Sequence, residues 1–155
     1  MRTALPVFET MFAPIKLVIA GTICELLQAT DSRFVELRGP IENVEDFYRS
    51  IDCAAVPMRA STGLKIKTGE ALSLGVPIVS LTHAFEGYEP ADTLHQLPDF
   101  EAMANALVDL SFAARDRLDV LAEASRTSYA VTAAAIERSF RETARRIRAA
   151  APSIV

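Results

Sequence analysis

Four short, largely apolar runs constrain the fold more than any other feature of this chain. They are Lys16–Gly21, Phe34–Gly39, Cys53–Pro57 and Val76–Leu81. Short runs dominated by apolar residues suit strands buried in a parallel sheet, although Phe34–Gly39 also carries Glu36 and Arg38. Residues 22–29, 43–51 and 63–74 between them have helical character. The order strand-helix-strand-helix-strand-helix-strand, with short connections marked by glycine or proline, predicts an α/β domain with a doubly wound parallel sheet flanked by helices. Two of the runs end at Gly21 and Gly39 and the third at Pro57. In open parallel sheets the carboxyl ends of the strands line the ligand crevice, so these loops are where function is sought.

Beyond the fourth run, Phe85–Pro98 is rich in loop formers, with a short strand expected near Thr93–Gln96. Asp99 is placed to cap an amphipathic helix over Phe100–Phe112, and two more helices are expected near residues 115–129 and 131–149. The whole chain, 1–155, reads as one domain. Half of its residues are hydrophobic and the mean hydropathy is +0.21, which allows a sizeable core and excludes intrinsic disorder as the main state. The net charge of −4 disfavours non-specific nucleic-acid binding, and no nucleic-acid partner is expected. Two cysteines, Cys24 and Cys53, make no disulfide framework and fit reduced, buried thiols in a cytoplasmic protein. Pro6 and Glu9 interrupt the apolar start before it reads as a signal peptide, and no stretch nears the about 18 apolar residues of a membrane span.

The chemistry concentrates between Pro57 and Val79. A strand ends, a polar loop carries Ser61, Thr62 and Gly63, and a helix opens beside Lys65 and Lys67, closing at Gly75 with a left-handed cap. Backbone N–H groups at a helix start, next to lysines, suit an anionic ligand such as a phosphate. Gly63, Lys67 and Glu70 are spaced to share one helical face, so a cation and a carboxylate there suit a diphosphate and a pair of sugar hydroxyls. The plainer alternative is an exposed Lys67–Glu70 ion pair worth about 0.2–0.5 kcal/mol. Gly69 costs about 1 kcal/mol against alanine inside a helix, which points to close backbone packing.

Residues 16–145 resemble the C-terminal, donor-binding domain of the group 1 glycosyltransferases, retaining enzymes built from two Rossmann-like domains (the GT-B fold). The resemblance rests on Leu17–Gly21, on Val35–Gly39 leading into Val44–Tyr48, on Asp52–Pro57, and above all on Thr62–Lys67 followed by Glu70–Val79. It implies a nucleotide-sugar donor as substrate and no cofactor. Of the family's two glutamates Glu70 matches the second, which holds the donor ribose, while the first falls on Thr62. The backbone at Gly63 and Leu64 would approach the diphosphate or sugar. Lys65 and Lys67 would supply positive charge, and Gly39, Pro40 and Ile41 would meet the nucleobase. The chain departs from the family at its front, where another strand and a loop with an arginine and a lysine are expected. Here Leu5–Phe12 reads as helical and leads straight into Lys16–Gly21. The chain is therefore expected to be a fragment or truncated relative that lacks the acceptor domain. The gap left by a central strand would be closed by direct pairing, or by a strand from another chain, which leaves a homo-oligomer open.

Arg59, at a strand's carboxyl end, is the best substitute for the absent cations, with a solvated loop arginine the equal alternative. His83, at a strand's carboxyl end, could touch a phosphate, with an exposed loop histidine the commoner explanation; Glu86 and Glu89 read as loop surface rather than catalytic carboxylates, and His95 as structural. The arginines of residues 138–148 could meet acidic lipid or nucleic acid, although a solvated basic face is the simpler reading. Three functions follow: the donor-binding half of a glycosyltransferase, inactive alone and located in the cytoplasm or at the inner face of its membrane; a degenerate, non-catalytic binding or assembly module; or another doubly wound protein such as a flavodoxin-like domain or a sugar-nucleotide epimerase half.

Overall fold

The structure, a computed structural model, describes Pro6, Phe8, residues 14–27 and residues 33–150. Its four strands fall inside the four apolar runs: β1 Leu17–Ala20, β2 Val35–Gly39, β3 Ala54–Val56 and β4 Ile78–Ser80. Both strand pairings are parallel, β1 with β2 and β3 with β4. Among the described residues no ladder joins the two pairs, so the sheet exists as two halves. Direct pairing across the expected gap is thus not the arrangement. The helix expected at Leu5–Phe12 lies outside the described residues except for Pro6 and Phe8.

Among the described residues four bounded α-helices accompany the strands: α1 Val44–Arg49, α2 Ile66–Ser73, α3 Phe100–Phe112 and α4 Arg115–Ala150. Their ends follow from local chemistry. The Asn43 side chain accepts from the N–H groups of Glu45 and Asp46 (3.0 and 3.2 Å), and Asp99 accepts from Ala102 (2.8 Å), each satisfying donors that a helix start leaves unpaired. α2 ends in a Schellman motif: the Gly75 N–H reaches Leu72 O and the Val76 N–H reaches Ala71 O, both at 3.0 Å. Gly75 holds φ +65°, and a Cβ there would also meet the Arg126 side chain at 3.0 Å.

Three elements differ from expectation. Of the helix expected over residues 22–29, the described part, 22–27, gives a short 3-10 helix, Thr22–Leu26, residues 28 and 29 lying outside the described residues; the strand expected at Thr93–Gln96 is a 3-10 turn, Thr93–His95, capped by the Asp92 side chain. Extended pairing starts only at Leu97, which bridges to Leu81. The helices expected at 115–129 and 131–149 are one helix, α4. No glycine or proline stands between them to break it. Ser125 and Ser128 instead turn into the body of the protein, where Ser128 Oγ donates to the Glu89 carbonyl.

Two apolar clusters hold this framework. One spans both strand pairs: Phe8, Phe34 and Leu17 meet Val79, Leu81 and the Met103, Ala104, Leu107 and Val108 face of α3, with Leu121 of α4 closing it. The other lies between β3–β4 and α2 and contains Val56, Ala71, Leu72, Ile78, Phe85 and, from α1, Tyr48. Full burial of a leucine such as Leu121 contributes about 1.5–3 kcal/mol, so side-chain packing joins the two sheet halves where backbone bonding does not.

Candidate functional site

β3 ends at Val56, and the chain crosses a loop to the start of α2 at Ile66, on the carboxyl-end side of the strands. Gly63 turns this loop with φ +84° and lies before the helix, so it does not share a helical face with Lys67 and Glu70 as its spacing suggested. Thr62, Gly63 and Leu64 are exposed, and Leu64 is 87% accessible, unusual for a leucine. Beneath them α2 is pinned by Thr68, whose Oγ1 donates to the Ala84 carbonyl at 2.6 Å.

The two lysines point in different directions. Lys65, which spacing offered as a cation for an anionic ligand, is turned inward and only 4% exposed. Its Nζ donates to Ser61 Oγ (2.8 Å) and lies 3.1 Å from His83 Nε2 and 3.6 Å from Glu86 Oε2. His83 Nε2 also accepts the Ser61 backbone N–H (2.8 Å), and its Nδ1 faces Glu86 Oε1 at 3.0 Å. A backbone N–H can only donate, so Nε2 is the acceptor and Nδ1 carries the proton to Glu86. His83 and Glu86 are therefore not free loop residues. They lock the Ser61–Lys65 segment, and both ring nitrogens are engaged. No local spacing announces this cluster, because its members lie on two segments about 20 residues apart that parallel pairing of β3 and β4 brings together.

Lys67 faces outward. Its Nζ sits 3.0 Å from Glu70 Oε2, and Glu70 is half-buried rather than part of the core. Tyr48, supplied by α1, donates its hydroxyl to the Lys67 carbonyl at 3.2 Å. Burial pushes the Tyr48 phenol up to about 12, and the Glu70 carboxylate beside it adds to the rise. Sequence reasoning missed Tyr48, whose place depends on packing of α1 against α2. Gly69 behaves as its cost suggested: a Cβ there would stand 2.4 Å from the Tyr88 hydroxyl.

Arg59 is exposed at the carboxyl end of β3, with its guanidinium 5.2 Å from the centre of the Phe100 ring at the start of α3. Gly39, Pro40 and Ile41 lie at the carboxyl end of β2, on the other sheet half, where Gly39 takes φ +65° and accepts the Gly21 N–H. The structure thus joins Lys67 with Glu70, and Lys65 with Ser61, His83 and Glu86. Among the described residues no hydrogen bond or ion pair joins Arg59 or the Gly39–Ile41 loop to either group. His95 is structural, as expected: buried, stacked on Phe85 with ring centres 4.6 Å apart, and accepting the Ala91 N–H at Nδ1. No group of three or more metal-ligating side chains occurs among the described residues.

Short parallel strands flanked by helices, with a polar loop, a helix start and a cation–carboxylate pair towards their carboxyl ends, define a Rossmann-like α/β fold. The family model for the group 1 glycosyl transferases matches residues 3–111, most of the chain, and the protein belongs to that family. No curated protein matches it.

Proposed function

We propose that the chain is the donor-binding half of a glycosyltransferase that moves a sugar from a nucleoside diphosphate sugar to an acceptor hydroxyl. The observation that carries this reading is the Lys67–Glu70 pair, open to solvent on the helix that begins where β3 delivers the chain. In this reading the Glu70 carboxylate accepts two ribose hydroxyls once Lys67 swings to the diphosphate. The N–H groups at the start of α2 and the Gly63–Leu64 backbone face the phosphates, and Thr62 stands beside the sugar. Arg59 adds charge from the loop, and Gly39, Pro40 and Ile41 meet the base. The departing diphosphate is then stabilised by N–H dipoles and by the Lys67 and Arg59 cations. Retention of configuration, the GT-B pairing with an acceptor domain and a cytoplasmic setting complete the proposal, with the single chain inactive alone.

Calorimetric titration with UDP, GDP and ADP tests it. One of the three is expected to bind, and Glu70→Ala should weaken that binding by about 1–3 kcal/mol, the worth of a hydrogen bond to a charged group. Unchanged affinity would move the ribose site elsewhere. A second reading, a degenerate module that kept the fold and lost the donor site, is favoured by the inward Lys65 and by Thr62 where the family carries a carboxylate. Absence of binding for all three nucleotides at millimolar concentration would decide for it.

A further inference from the structure

The loop between β3 and α2 hangs on a single lone pair. Among the described residues, every hydrogen bond made by Ser61, Thr62 and Gly63 runs to His83 or Lys65. His83 Nε2 accepts the Ser61 N–H at 2.8 Å with Lys65 Nζ 3.1 Å away, and Nδ1 turns its proton to Glu86 Oε1 at 3.0 Å. The Lys65 side chain is only 4% exposed, whereas that of His83 is 26% exposed, so solvent protons reach the ring. This anchor holds only while the ring is neutral. A proton at Nε2 would aim a donor at the Ser61 N–H, which cannot accept, and would set an imidazolium beside an ammonium. The nearest acceptor, Ser61 Oγ at 3.4 Å, already takes a Lys65 proton at 2.8 Å. Lys65 and Glu86 are the charged groups facing the ring, and Tyr88, its hydroxyl 3.5 Å from the Lys65 carbonyl, is kept neutral by burial. Protonation would leave two cations sharing one carboxylate, and Glu86 stands closer to the ring than to the lysine, 3.0 against 3.6 Å.

We propose that His83 is a proton-controlled latch: neutral, it holds the Ser61–Lys65 loop around an inward Lys65, and protonated, it releases the loop and lets the lysine turn outward. Histidine changes charge between about pH 5 and 8, and the latch works in that range. Release is local. The Lys65 carbonyl accepts the Gly69 N–H at 3.0 Å and Thr68 Oγ1 bonds to Ala84, so α2 keeps its seat while the loop before it moves. The consequence for a ligand rests on the donor-binding reading: an outward Lys65 adds a cation near the loop that would face the diphosphate, so acid strengthens the hold on an anion. The latch itself involves no ligand and is tested without one, so failure of the donor-binding reading leaves it standing.

Nitrogen-15 NMR of the full chain between about pH 8 and pH 5.5 tests it. The chain has two histidines, so the His83 ring signals are separable from those of His95. At the upper pH the His83 ring should carry its proton on Nδ1, with Nε2 bare. As the ring gains its second proton, the Ser61 amide should lose about threefold or more of its protection against hydrogen exchange. The contact between the Lys65 side chain and the ring should vanish over the same titration, while the Gly69 amide keeps its protection. His83→Gln, which offers an oxygen in place of Nε2 but takes up no proton, should hold the loop equally at both pH values. A Ser61 amide and a Lys65 contact unmoved while the ring titrates would overturn the proposal, as would a ring protonated on Nε2 at the upper pH. So would equal loss of protection in His83→Gln, or loss at Gly69 as large as at Ser61, which would mark general loosening of the protein. The wild-type comparison of Ser61 with Gly69 decides even where the variant fails to fold.

Discussion

Replacing Gly69 by alanine sets two effects of known size against each other. In a helix interior alanine is favoured over glycine by about 1 kcal/mol. Here the new Cβ would lie 2.4 Å from Tyr88 Oη and 3.3 Å from Cζ, and the ring it must displace packs edge-on against Phe85 at 5.9 Å. Overpacking of this kind costs about 1–3 kcal/mol, so Gly69→Ala should be neutral to destabilising by about 2 kcal/mol. Tyr88→Phe removes the atom in the closest contact. In that background the same alanine should recover about 1 kcal/mol or more of the loss, a coupling measurable by urea unfolding of the four proteins in a double-mutant cycle. If Tyr88 simply swung aside, the cycle would be flat and Gly69→Ala would stabilise both backgrounds equally. That result would refute the close-packing account of Gly69.

Two further outcomes concern titratable groups. Burial lowers the His95 pKa, Asp92 opposes the shift and Arg117 adds to it; Nε2 is the one buried side-chain polar atom without a hydrogen-bond partner among the described residues. The folded protein therefore binds fewer protons at this site than the unfolded chain. Its contribution to stability is present above the unfolded value of about 6.5 and is lost as the pH falls from there through the folded value. Denaturation midpoints between about pH 7.5 and 5.5 should fall, and His95→Gln should flatten that slope; a slope unchanged by the substitution would exclude His95 as its source. Burial also raises the Cys53 thiol to about 12, the neighbouring Asp52 adding to the rise and a Val79 hydrogen bond opposing it. Iodoacetamide at mildly alkaline pH should leave Cys53 unmodified until denaturant is added, and mass spectrometry showing rapid native labelling would contradict the burial.

The sequence disclosed what depends on neighbours along the chain. Each strand lies within its apolar run, Asp99 and Gly75 cap the helices they border, and Phe100–Phe112 has the bounds its periodicity predicts. What stayed hidden depends on residues distant in sequence. α4 continues because Ser128 and Thr132 find partners at Glu89, about 40 residues away, whereas the 3-10 turn at Thr93–His95 is a local device, the Asp92 side chain accepting from Leu94. At the candidate site, Lys67 and Glu70 were legible from helical spacing. The destination of Lys65 was not, since Ser61, His83 and Glu86 capture it only after β3 and β4 have paired.

The divided sheet has a mechanical consequence. Backbone ladders resist shear along the strands, whereas side-chain packing is non-directional and yields to small rotations. The Gly39–Ile41 turn rides on β2, and the Ser61–Lys65 loop follows β3. With no ladder joining these halves among the described residues, the spacing between the two loops is governed by the contacts of Phe8, Phe34 and Leu17 with the α3 face. A change of volume at Phe34, remote in sequence from Lys67 and Glu70, would thus reset the width of the crevice without severing a single interstrand bond.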